Sequence, residues 1–424
     1  MSDPAFPSAA PGVAAEPPPR VGGGFIAVYV VAYLGLYMAV MTPLLASLAI
    51  RLQQIDPTGK ESALGLVIGV GTLVGIVIGP IVGLLSDNTT SRLGRRRPWL
   101  LAGMPVLIAG ALLTATLATV PGVLLGYVVA QFGITCIMTA LTAVMPDQVP
   151  EEQRGKVGGL LGFTAQIAGV AGFQVAGVLS GSPLPLFAVP ALLACAAVLV
   201  LVVVMPDRRL SRAERGALDL GRLVRDLRFD PRRHPDFAWT WLGRFLIQFS
   251  LMFLSTYQLY FLTDHLGYKL AEVTGLLALT GGIGLAMTSV GAIVSGYLSD
   301  RLRRRKLFIH LAAACFATGF VVVAFASSFP PVLVGSQLIL FGAGVFGAVD
   351  LAVVNDVLPN RETEAAKYMS LFGIASALPQ SAAPVVAPFI LGVGGGGNYP
   401  LLFLVAAGIA VVGGLTIRLI KGVR

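Results

Sequence analysis

The sequence predicts an all-α membrane protein in which twelve transmembrane helices form two six-helix bundles. Three observations support this prediction. The 424 residues are 56% hydrophobic and only 12% charged, whereas about a quarter of the residues in a soluble protein are charged. Long apolar runs recur along the whole chain, and a pattern of charged loops in the first half returns in the second half.

Twelve apolar runs, each bounded by charged residues or by Pro and Gly, cover most of the chain. They are residues 25–50, the stretch that ends before Asp87, 98–117, 121–145, 157–180, 184–205, 237–262, 270–298, 307–328, 331–354, 368–394 and 399–420. A helix needs roughly 20 apolar residues to cross the hydrocarbon core of a bilayer. Because backbone exposed to lipid must satisfy its own hydrogen bonds, we expect each run to be a helix.

Basic residues concentrate on one side of the predicted bundle. If the helices alternate in direction, all but four of the 30 Lys and Arg residues fall in the termini and the even-numbered connections. The four are Arg51, Lys60 and Lys269 on the other side and Arg244 within a predicted helix. Such an excess is typical of cytoplasmic loops, so both termini are expected to be cytoplasmic. The formal net charge of +9 therefore indicates membrane orientation and predicts no nucleic-acid partner.

The composition also narrows the classes of function. The cysteines lie inside apolar runs, and the histidines are scattered without the spacing of a metal site. No Walker loop and no arrangement of a nucleophile beside a base is visible in the sequence. We therefore expect no bound metal, no cofactor and no enzymatic activity.

A charged segment near the middle divides the chain. Residues 1–22 are rich in Pro and Ala, which predicts a disordered cytoplasmic tail. Residues 23–205 and 237–424 contain six apolar runs each, and residues 206–236 are expected to form a cytoplasmic linker. The linker is either solvated or partly an amphipathic helix on the membrane surface, with apolar residues at helical spacing. Those residues are Leu220, Leu223, Val224 and Leu227.

Two charged loops indicate an internal repeat. The run "SDNTTSRLGRRRP" at 86–98 is echoed by "SDRLRRRKL" at 299–307, so that Asp87 and Asp300 are separated by half the chain. A second echo joins "MPDQVPEEQRGKVGGLLGF" at 145–163 to "VNDVLPNRETEAAKYMSLFGI" at 354–374. Two parallel repeats around a central site, related by a pseudo-two-fold axis, are the layout expected of a transporter.

These loops carry a resemblance to a known family. The twelve-helix plan with an Asp–Arg loop after helices two and eight resembles the major facilitator superfamily. The stretch "GPIVGLLSDNTTSRLGRRRPWL" at 79–100 is similar to the corresponding loop of sucrose/proton symporters and related glycoside transporters, except that Asn88 replaces a residue that is usually basic. The resemblance implies the major facilitator fold, alternating access, and a sugar or glycoside substrate commonly coupled to protons.

The charged loops are expected to act as gates at the basic side. Carboxylate and guanidinium groups beside helix ends can form charge-assisted contacts, and Gly94 permits the tight turn between them. The residues expected to form the gates are Asp87, Arg92, Gly94, Arg95 and Arg96 in the first half, and Asp300 with Arg304 or Arg305 in the second. The alternative is that these arginines only anchor the loops to anionic lipid.

Two ionisable residues, Arg244 and Asp350, lie well inside predicted helices. At 1.5 Å per residue, both are roughly 7–11 Å from the basic side. An unpaired charge at the bilayer centre costs about 2.5–3.5 kcal/mol, so such residues usually pair and face a cavity. We expect the two to face each other, with Asp350 as the proton-coupling site and the pair binding sugar hydroxyls. A purely structural ion pair, or an Arg244 that reaches to the interface, is the alternative.

Further polar residues are candidates for the proton and substrate sites. Asp147 ends the fourth helix, where sucrose symporters carry an acidic residue, and competes with Asp350 as the proton-coupling site. The resemblance implies that helices one, four, seven and ten line the cavity. Amide, hydroxyl and ring groups there suit an uncharged sugar, although each can instead make interhelical hydrogen bonds. The substrate-binding candidates on these helices are Gln131, Thr135, Gln248, Tyr33 and Tyr37.

The leading hypothesis is a proton-coupled importer of a disaccharide or glycoside such as sucrose or maltose. An exporter of a small-molecule metabolite or drug is the first alternative, and a membrane receptor that transports nothing is the second. The expected setting is the plasma (inner) membrane, where the protein is an integral multi-pass monomer whose partners are lipids, the substrate and protons.

Overall fold

The computed structural model describes residues 20–210, 221, 229–359 and 364–421. Most of the predicted disordered tail and the four apolar residues of the predicted amphipathic linker helix lie outside these residues. The described residues contain twelve helices that are long and apolar enough to cross a membrane, as predicted.

The twelve helices follow one another with short connections, apart from the linker. They are α1 (Gly23–Ile55), α2 (Lys60–Asp87), α3 (Arg97–Thr116), α4 (Val120–Gln148), α5 (Glu151–Leu179), α6 (Pro183–Val204), α7 (Pro235–His265), α8 (Leu270–Leu302), α9 (Arg305–Ala324), α10 (Phe329–Val357), α11 (Lys367–Leu391) and α12 (Tyr399–Leu419). Six of the described helices carry Pro in their first two positions, where the missing N–H has no intrahelical acceptor to lose.

Helix packing repeats between the two halves. In the first half, α1 packs on α5 and α6, α4 packs on α2 and α3, and α3 packs on α6. The second half shows the same five pairs six helices later: α7 with α11 and α12, α10 with α8 and α9, and α9 with α12. The sequence repeat is therefore a repeat of packing, and each half is a six-helix bundle.

The two bundles meet through α2 with α11 and through α5 with α8. We call the end that carries the 88–96 and 303–304 loops the basic end, and the other the opposite end. At the opposite end, Tyr260 Oη donates to the carbonyl oxygen of Ala49 at 2.8 Å and Ser381 Oγ donates to that of Gly69 at 2.6 Å. Nothing lies within 4 Å of a Cβ built at Gly159 or Gly162, in the part of α5 near the basic end. The bundles are therefore joined at the opposite end and separated at the basic end.

A close approach between the bundles depends on Gly65 of α2 and on the prolines of α11. A Cβ built at Gly65 would lie 2.1 Å from the carbonyl oxygen of Pro384, so only glycine fits there. In a regular helix this carbonyl would accept the N–H of residue 388, but Pro388 has none. Tyr257 Oη instead donates to it at 2.8 Å. The proline thus frees an acceptor for a hydrogen bond within the second bundle, between α7 and α11, at the place where α2 packs against α11.

Candidate functional site

A cavity of about 280 Å³ lies between the bundles, bordered by α1, α5, α7, α8 and α10. Its wall is largely aliphatic, with side chains such as Leu45, Val170, Leu277 and Ile339. The polar groups in the wall are Gln166, Ser255, Gln258, Thr280 and Ser336. We call this space the central chamber.

Among the described residues, the free hydrogen-bonding groups of the central chamber are the two glutamines and the Ser336 hydroxyl. Ser255 Oγ donates to the carbonyl oxygen of Leu251 at 3.1 Å, and Thr280 Oγ1 donates to that of Leu276 at 2.8 Å, so both hydroxyls are satisfied within their own helices. Neither Gln166 nor Gln258 has a side-chain hydrogen bond to any described residue. Since α5 belongs to the first bundle and α7 to the second, the two amides can bind one ligand from both sides.

A second space of about 190 Å³ continues towards the basic end and shares Leu251 and Ala343 with the central chamber. Its polar lining consists of Arg244, Gln248 and Asp350. We call it the ionic chamber. The lining of the central chamber thus contains no ionisable side chain, whereas the lining of the adjoining ionic chamber contains two.

Arg244 and Asp350 form an ion pair in the wall of the ionic chamber, as predicted. The Asp350 side chain is only 3% exposed, while that of Arg244 is 19% exposed. Two groups of α11 hold the guanidinium: Ser376 Oγ accepts a hydrogen bond from Arg244 Nε at 2.5 Å, and the Phe372 ring lies 4.1 Å from the guanidinium carbon. Groups from α10 and α11 therefore surround the guanidinium that α7 carries. Their contacts offset the free-energy cost of removing this charge from water.

A second group of charges lies at the basic end of the first bundle. Arg96 contacts Asp87 at 2.7 Å, Asp147 at 2.9 Å and the Ser86 hydroxyl at 2.9 Å, and its side chain is 6% exposed. Arg95 contacts the other carboxylate oxygen of Asp147 at 2.7 Å. We call these five residues the Arg96 network. It joins the basic ends of α2, α3 and α4.

Asp207, just after α6, lies beside the Arg96 network at the start of α3. The sequence pattern does not predict its role. Its Oδ2 accepts the backbone N–H groups of Arg96 at 2.7 Å and of Arg97 at 2.8 Å, where α3 begins. A carboxylate at a helix N-terminus is stabilised by the helix dipole. Gly94 has a φ of +105°, and a Cβ at this position would lie 2.4 Å from Asp207. The predicted need for glycine in this turn is thus explained by conformation and by space.

Replacing Gly94 by Ala should therefore destabilise the basic end. The left-handed conformation alone costs a residue with a Cβ about 1–2 kcal/mol, and the contact with Asp207 adds to it. We expect a lower melting temperature in detergent and reduced transport. The matched control is Gly408→Ala, because a Cβ there meets no atom within 4 Å. Equal melting temperatures for the two variants would contradict the role of this turn.

The second half pairs differently from the prediction. Arg305, at the start of α9, contacts Asp356 of α10 and donates to the carbonyl oxygen of Ala352 at 2.8 Å. Asp300 and Arg304 are exposed, and the described residues include no ion pair for either. The expected pairing of Asp300 with Arg304 or Arg305 is absent from the described residues in this conformation, because α10 places a carboxylate closer to the start of α9. In the first half, Arg95 and Arg96 likewise pair with a carboxylate at the basic end of α4, that of Asp147.

A gating role for the charged loops stays a prediction, because their contacts in this conformation lie within the bundles. Every contact of the Arg96 network lies within the first bundle, and Arg305 and Asp356 both belong to the second. Arg92 is exposed and forms no ion pair within the described ranges. In this conformation these contacts hold each bundle together and do not hold the basic end shut.

The arrangement of two six-helix bundles around a cavity also occurs in known proteins. The family model described as "Major Facilitator Superfamily" matches residues 23–366 and 285–423. The chain belongs to the major facilitator superfamily. It is therefore an integral multi-pass membrane protein of a family of transporters, which are not enzymes.

Two curated relatives match parts of the chain. An uncharacterized symporter of Synechocystis is 50% identical over 50 residues, which are 12% of this chain and 9% of the relative. The inner membrane transport protein YajR of Escherichia coli is 31% identical over 157 residues, which are 36% of this chain and 32% of the relative. The chain thus aligns with less than a third of the length of each relative.

Solved structures share the superfamily fold over nearly the whole chain. A point mutant of the nucleoside transporter NupG superposes with a TM-score of 0.74 at 13% identity, covering 93% of this chain and 99% of the other. The D-xylose-proton symporter gives 0.69 at 16% identity, with 95% and 98% covered. A bacterial homologue of the lysosomal transporter Spinster, inward-facing and unoccupied, gives 0.71 at 14%, with 94% and 98% covered. At these identities the likeness concerns the fold alone.

The other residues that the sequence predicts to bind substrate differ in whether they line the chambers. Gln248 lines the ionic chamber as expected. Thr135 is buried against α2, with its hydroxyl 3.3 Å from a Cβ built at Gly75, and Gln131 packs in the same α2–α4 contact near Gly71. Neither residue lines the two chambers. A role for Gln131 and Thr135 in substrate binding stays a prediction without support from these contacts.

Tyr33 and Tyr37 form a ladder of rings with Tyr29 on α1, with ring centroids 5.2 Å apart between Tyr29 and Tyr33 and 6.0 Å apart between Tyr33 and Tyr37. Tyr29 Oη donates to the carbonyl oxygen of Leu141 at 2.7 Å, so the ladder packs α1 on α4. Tyr33 is buried and Tyr37 half-buried, and neither lines the chambers. Asp147 belongs to the Arg96 network, which gives it a structural role; its proton-coupling role stays a prediction.

Proposed function

We propose that the protein is a secondary active transporter that imports an uncharged sugar or glycoside together with a proton by alternating access. The single observation that carries this proposal is the Arg244–Asp350 pair in the wall of the ionic chamber. The proposal places the basic loops in the cytoplasm, in accord with the excess of Lys and Arg, and treats the protein as a monomer.

The pair supports proton coupling through its burial. An ionised Asp350 is stabilised by Arg244, and removing either charge leaves the other buried without a partner. When Asp350 takes up a proton, it loses its charge, and the N–H groups of Arg244 become available to a substrate oxygen. Binding of proton and substrate then support each other, which is the thermodynamic requirement for symport.

The chambers support a neutral ligand of modest size. Their volumes of about 280 and 190 Å³ together fall in the range of roughly 300–1,000 Å³ that is typical of small-molecule sites. Gln166 and Gln258 can donate to and accept from hydroxyl groups, while Gln248 and Arg244 serve the ionic chamber. The lining of the central chamber contains no ionisable side chain, so it offers no partner for a charged ligand.

The conformation also supports alternating access. The bundles are joined at the opposite end and separated at the basic end, which supports access to both chambers from the basic end in this state. Rocking of one bundle against the other around the chambers would break the α2–α11 contacts and open the opposite end.

The test is uptake of labelled sucrose, maltose and trehalose into proteoliposomes with and without an inward proton gradient. We expect accumulation of at least one sugar that needs the gradient and collapses when a protonophore is added. Liposomes without protein and liposomes with folded Glu152→Gln protein are the controls, since Glu152 forms only an exposed pair with Arg20. Gradient-independent equilibration of every sugar would contradict proton coupling, and no uptake of any sugar would contradict the substrate class.

A second candidate, export of an apolar metabolite, is favoured by the aliphatic lining of the central chamber. Leu45, Val170, Leu277 and Ile339 can bind an apolar body, with Gln166 and Gln258 fixing one polar group. This alternative predicts that apolar solutes, and not sugars, compete for the site. The change in intrinsic tryptophan fluorescence on adding sugars, compared with that on adding apolar solutes that carry no sugar group, would separate the two.

A further inference from the structure

A cavity that the proposed transport does not use lies at the basic end of the first bundle. It has a volume of about 790 Å³ and shares no lining residue with the central chamber or the ionic chamber. It is bordered by the start of α1, the turn before α3, the end of α4 and the residues that follow α6. We call it the basic-end cavity. Its size lies in the range of roughly 300–1,000 Å³ that is typical of small-molecule sites.

The charged side chains that line the basic-end cavity have a net positive charge. Arg20, Arg95 and Arg208 stand against two carboxylates, those of Asp147 and Asp207. Each arginine belongs to a different segment, since Arg20 precedes α1, Arg95 precedes α3 and Arg208 follows α6. An anion in this cavity can therefore contact three segments of the chain at once.

The two carboxylates in the lining already have donors. One oxygen of Asp147 contacts Arg95 at 2.7 Å and the other contacts Arg96 at 2.9 Å. Asp207 Oδ2 accepts two backbone N–H groups at the start of α3, at 2.7 and 2.8 Å. These contacts offset the negative charge of both carboxylates, so the repulsion that they exert on a bound anion is reduced.

Two of the arginines keep donors for a ligand. Arg20 contacts Glu152 at 3.5 Å, and the two side chains are 81% and 73% exposed. Water screens an ion pair as exposed as this one, so Arg20 can exchange Glu152 for another anion. Arg95 contacts Asp147 through Nη2, and its other nitrogens make no hydrogen bond within the described part of the chain. A guanidinium carries N–H groups on all three of its nitrogens.

The amide of Gln148 adds an acceptor to the lining. Its Nε2 donates to the carbonyl oxygen of Pro206, while its Oε1 is buried and has no hydrogen-bond partner among the described residues. A buried acceptor without a donor is unfavourable, so a hydroxyl group of a ligand would stabilise this site. The rest of the wall is apolar and consists of Val21, Phe25, Pro146, Val204 and Pro206, with Gly22.

We propose that the basic-end cavity binds a phosphate ester that also carries a hydroxyl group. The phosphate contacts the arginines, because the guanidinium fork matches the oxygens of a phosphate group. The hydroxyl donates to Gln148 Oε1, and the carbon skeleton packs on the apolar wall. The headgroup of a glycerol-bearing anionic lipid and a soluble glycerol phosphate share this chemistry.

A ligand in this cavity links helices that the Arg96 network leaves out. The network joins the basic ends of α2, α3 and α4, whereas Arg20 precedes α1 and Arg208 follows α6. The bound phosphate therefore stabilises the first bundle. This effect is independent of the solute that the chambers carry, because the basic-end cavity is separate from both of them.

The test is the melting temperature of the full-length protein in nanodiscs of phosphatidylcholine, a lipid without net charge. We expect glycerol 3-phosphate to raise it with saturation, because a ligand that binds only the folded protein stabilises that state. Methyl phosphate lacks the hydroxyl group and should bind about 2- to 10-fold more weakly, which is the effect of one hydrogen bond. Glycerol at the same concentration should change nothing. Equal affinities of the two esters would overturn the role of Gln148.

A second arm uses nanodiscs that contain phosphatidylglycerol and no soluble ester. A higher melting temperature in this arm alone would identify the lipid headgroup as the source of the phosphate, and a response to glycerol 3-phosphate would identify a soluble ester. Both results support the site if they depend on its arginines.

The decisive variant is Arg20→Gln/Arg208→Gln, which removes two exposed cations of the cavity and leaves the buried core unchanged. It should lose the stabilisation in whichever arm shows it. The matched control is Arg232→Gln/Arg301→Gln, which removes two exposed arginines at the basic end of the second bundle and should respond as the unmutated protein does. No response in either arm, or a response that survives in Arg20→Gln/Arg208→Gln, would overturn the proposal. Sugar uptake enters none of these measurements.

Discussion

Uphill, proton-driven uptake is expected to be lost when Asp350 is replaced by Asn, while exchange of substrate across the membrane remains measurable. Asn keeps the size and an acceptor for Arg244, but it cannot take up the proton that a symporter must carry. Uptake by the variant should stop when the inside and outside concentrations are equal, with or without a gradient. The measurement is the accumulation ratio in proteoliposomes, beside counterflow exchange of the same solute.

The companion variants make this prediction specific. Arg244→Gln leaves a buried carboxyl without its cation, and breaking a buried pair in this way costs about 3–5 kcal/mol, so we expect a loss of both accumulation and stability. Glu152→Gln removes a carboxylate at the basic end and should behave as the unmutated protein does. If Asp350→Asn accumulates substrate normally, Asp147 becomes the better candidate for the proton site.

Replacing Gly65 by Ala should keep the opposite end from closing. The added methyl group would lie 2.1 Å from the Pro384 carbonyl oxygen and 2.9 Å from Tyr257 Oη, and the first of these is backbone that cannot move alone. Overpacking of this kind costs about 1–3 kcal/mol, which shifts an equilibrium by about 5- to 150-fold. The measurement is the opposite-end distance between spin labels at the exposed residues Thr58 and Lys269, in protein whose three native cysteines are replaced by Ala, together with the rate of uptake.

Gly275→Ala is the control for this change, since Gly275 lies near the same end, on α8, and has no atom within 4 Å of an added Cβ. It should leave distances and uptake unchanged. A normal distance distribution in Gly65→Ala would show that α2 and α11 can separate slightly at no cost. The contact between these two helices would then not control closure of the opposite end.

The elements that the sequence predicts well are those set by local chemistry. Each helix is predictable because the bilayer requires a long apolar run, and the Arg244–Asp350 pair is predictable because a charge inside a helix needs a partner at the same depth. Gly94 is predictable for the same kind of reason, since a tight turn between a carboxylate and an arginine cluster favours glycine.

The contacts that the sequence predicts poorly depend on which helices become neighbours. Gln131 and Thr135 have the spacing of a cavity-lining face, but that face packs on the glycines of α2, and spacing alone does not name the neighbour. The partner of Arg305 lies on α10 rather than at Asp300 in its own loop. The hydrogen bond from Tyr399 to Glu61 joins α12 to α2 across most of the chain, so no local pattern predicts it.

The one-sided distribution of contacts between the bundles has a kinetic consequence. The hydrogen bonds of Tyr257, Tyr260, Ser381 and Tyr399 between the bundles all lie at the opposite end, and each contributes about 0.5–1.5 kcal/mol. They must be broken together before this end can open, whereas the Arg96 network and the Arg305 pair stay within their own bundles during that movement. In the proposed importer this end opens on the return of the empty carrier, so these hydrogen bonds raise the activation barrier of that step.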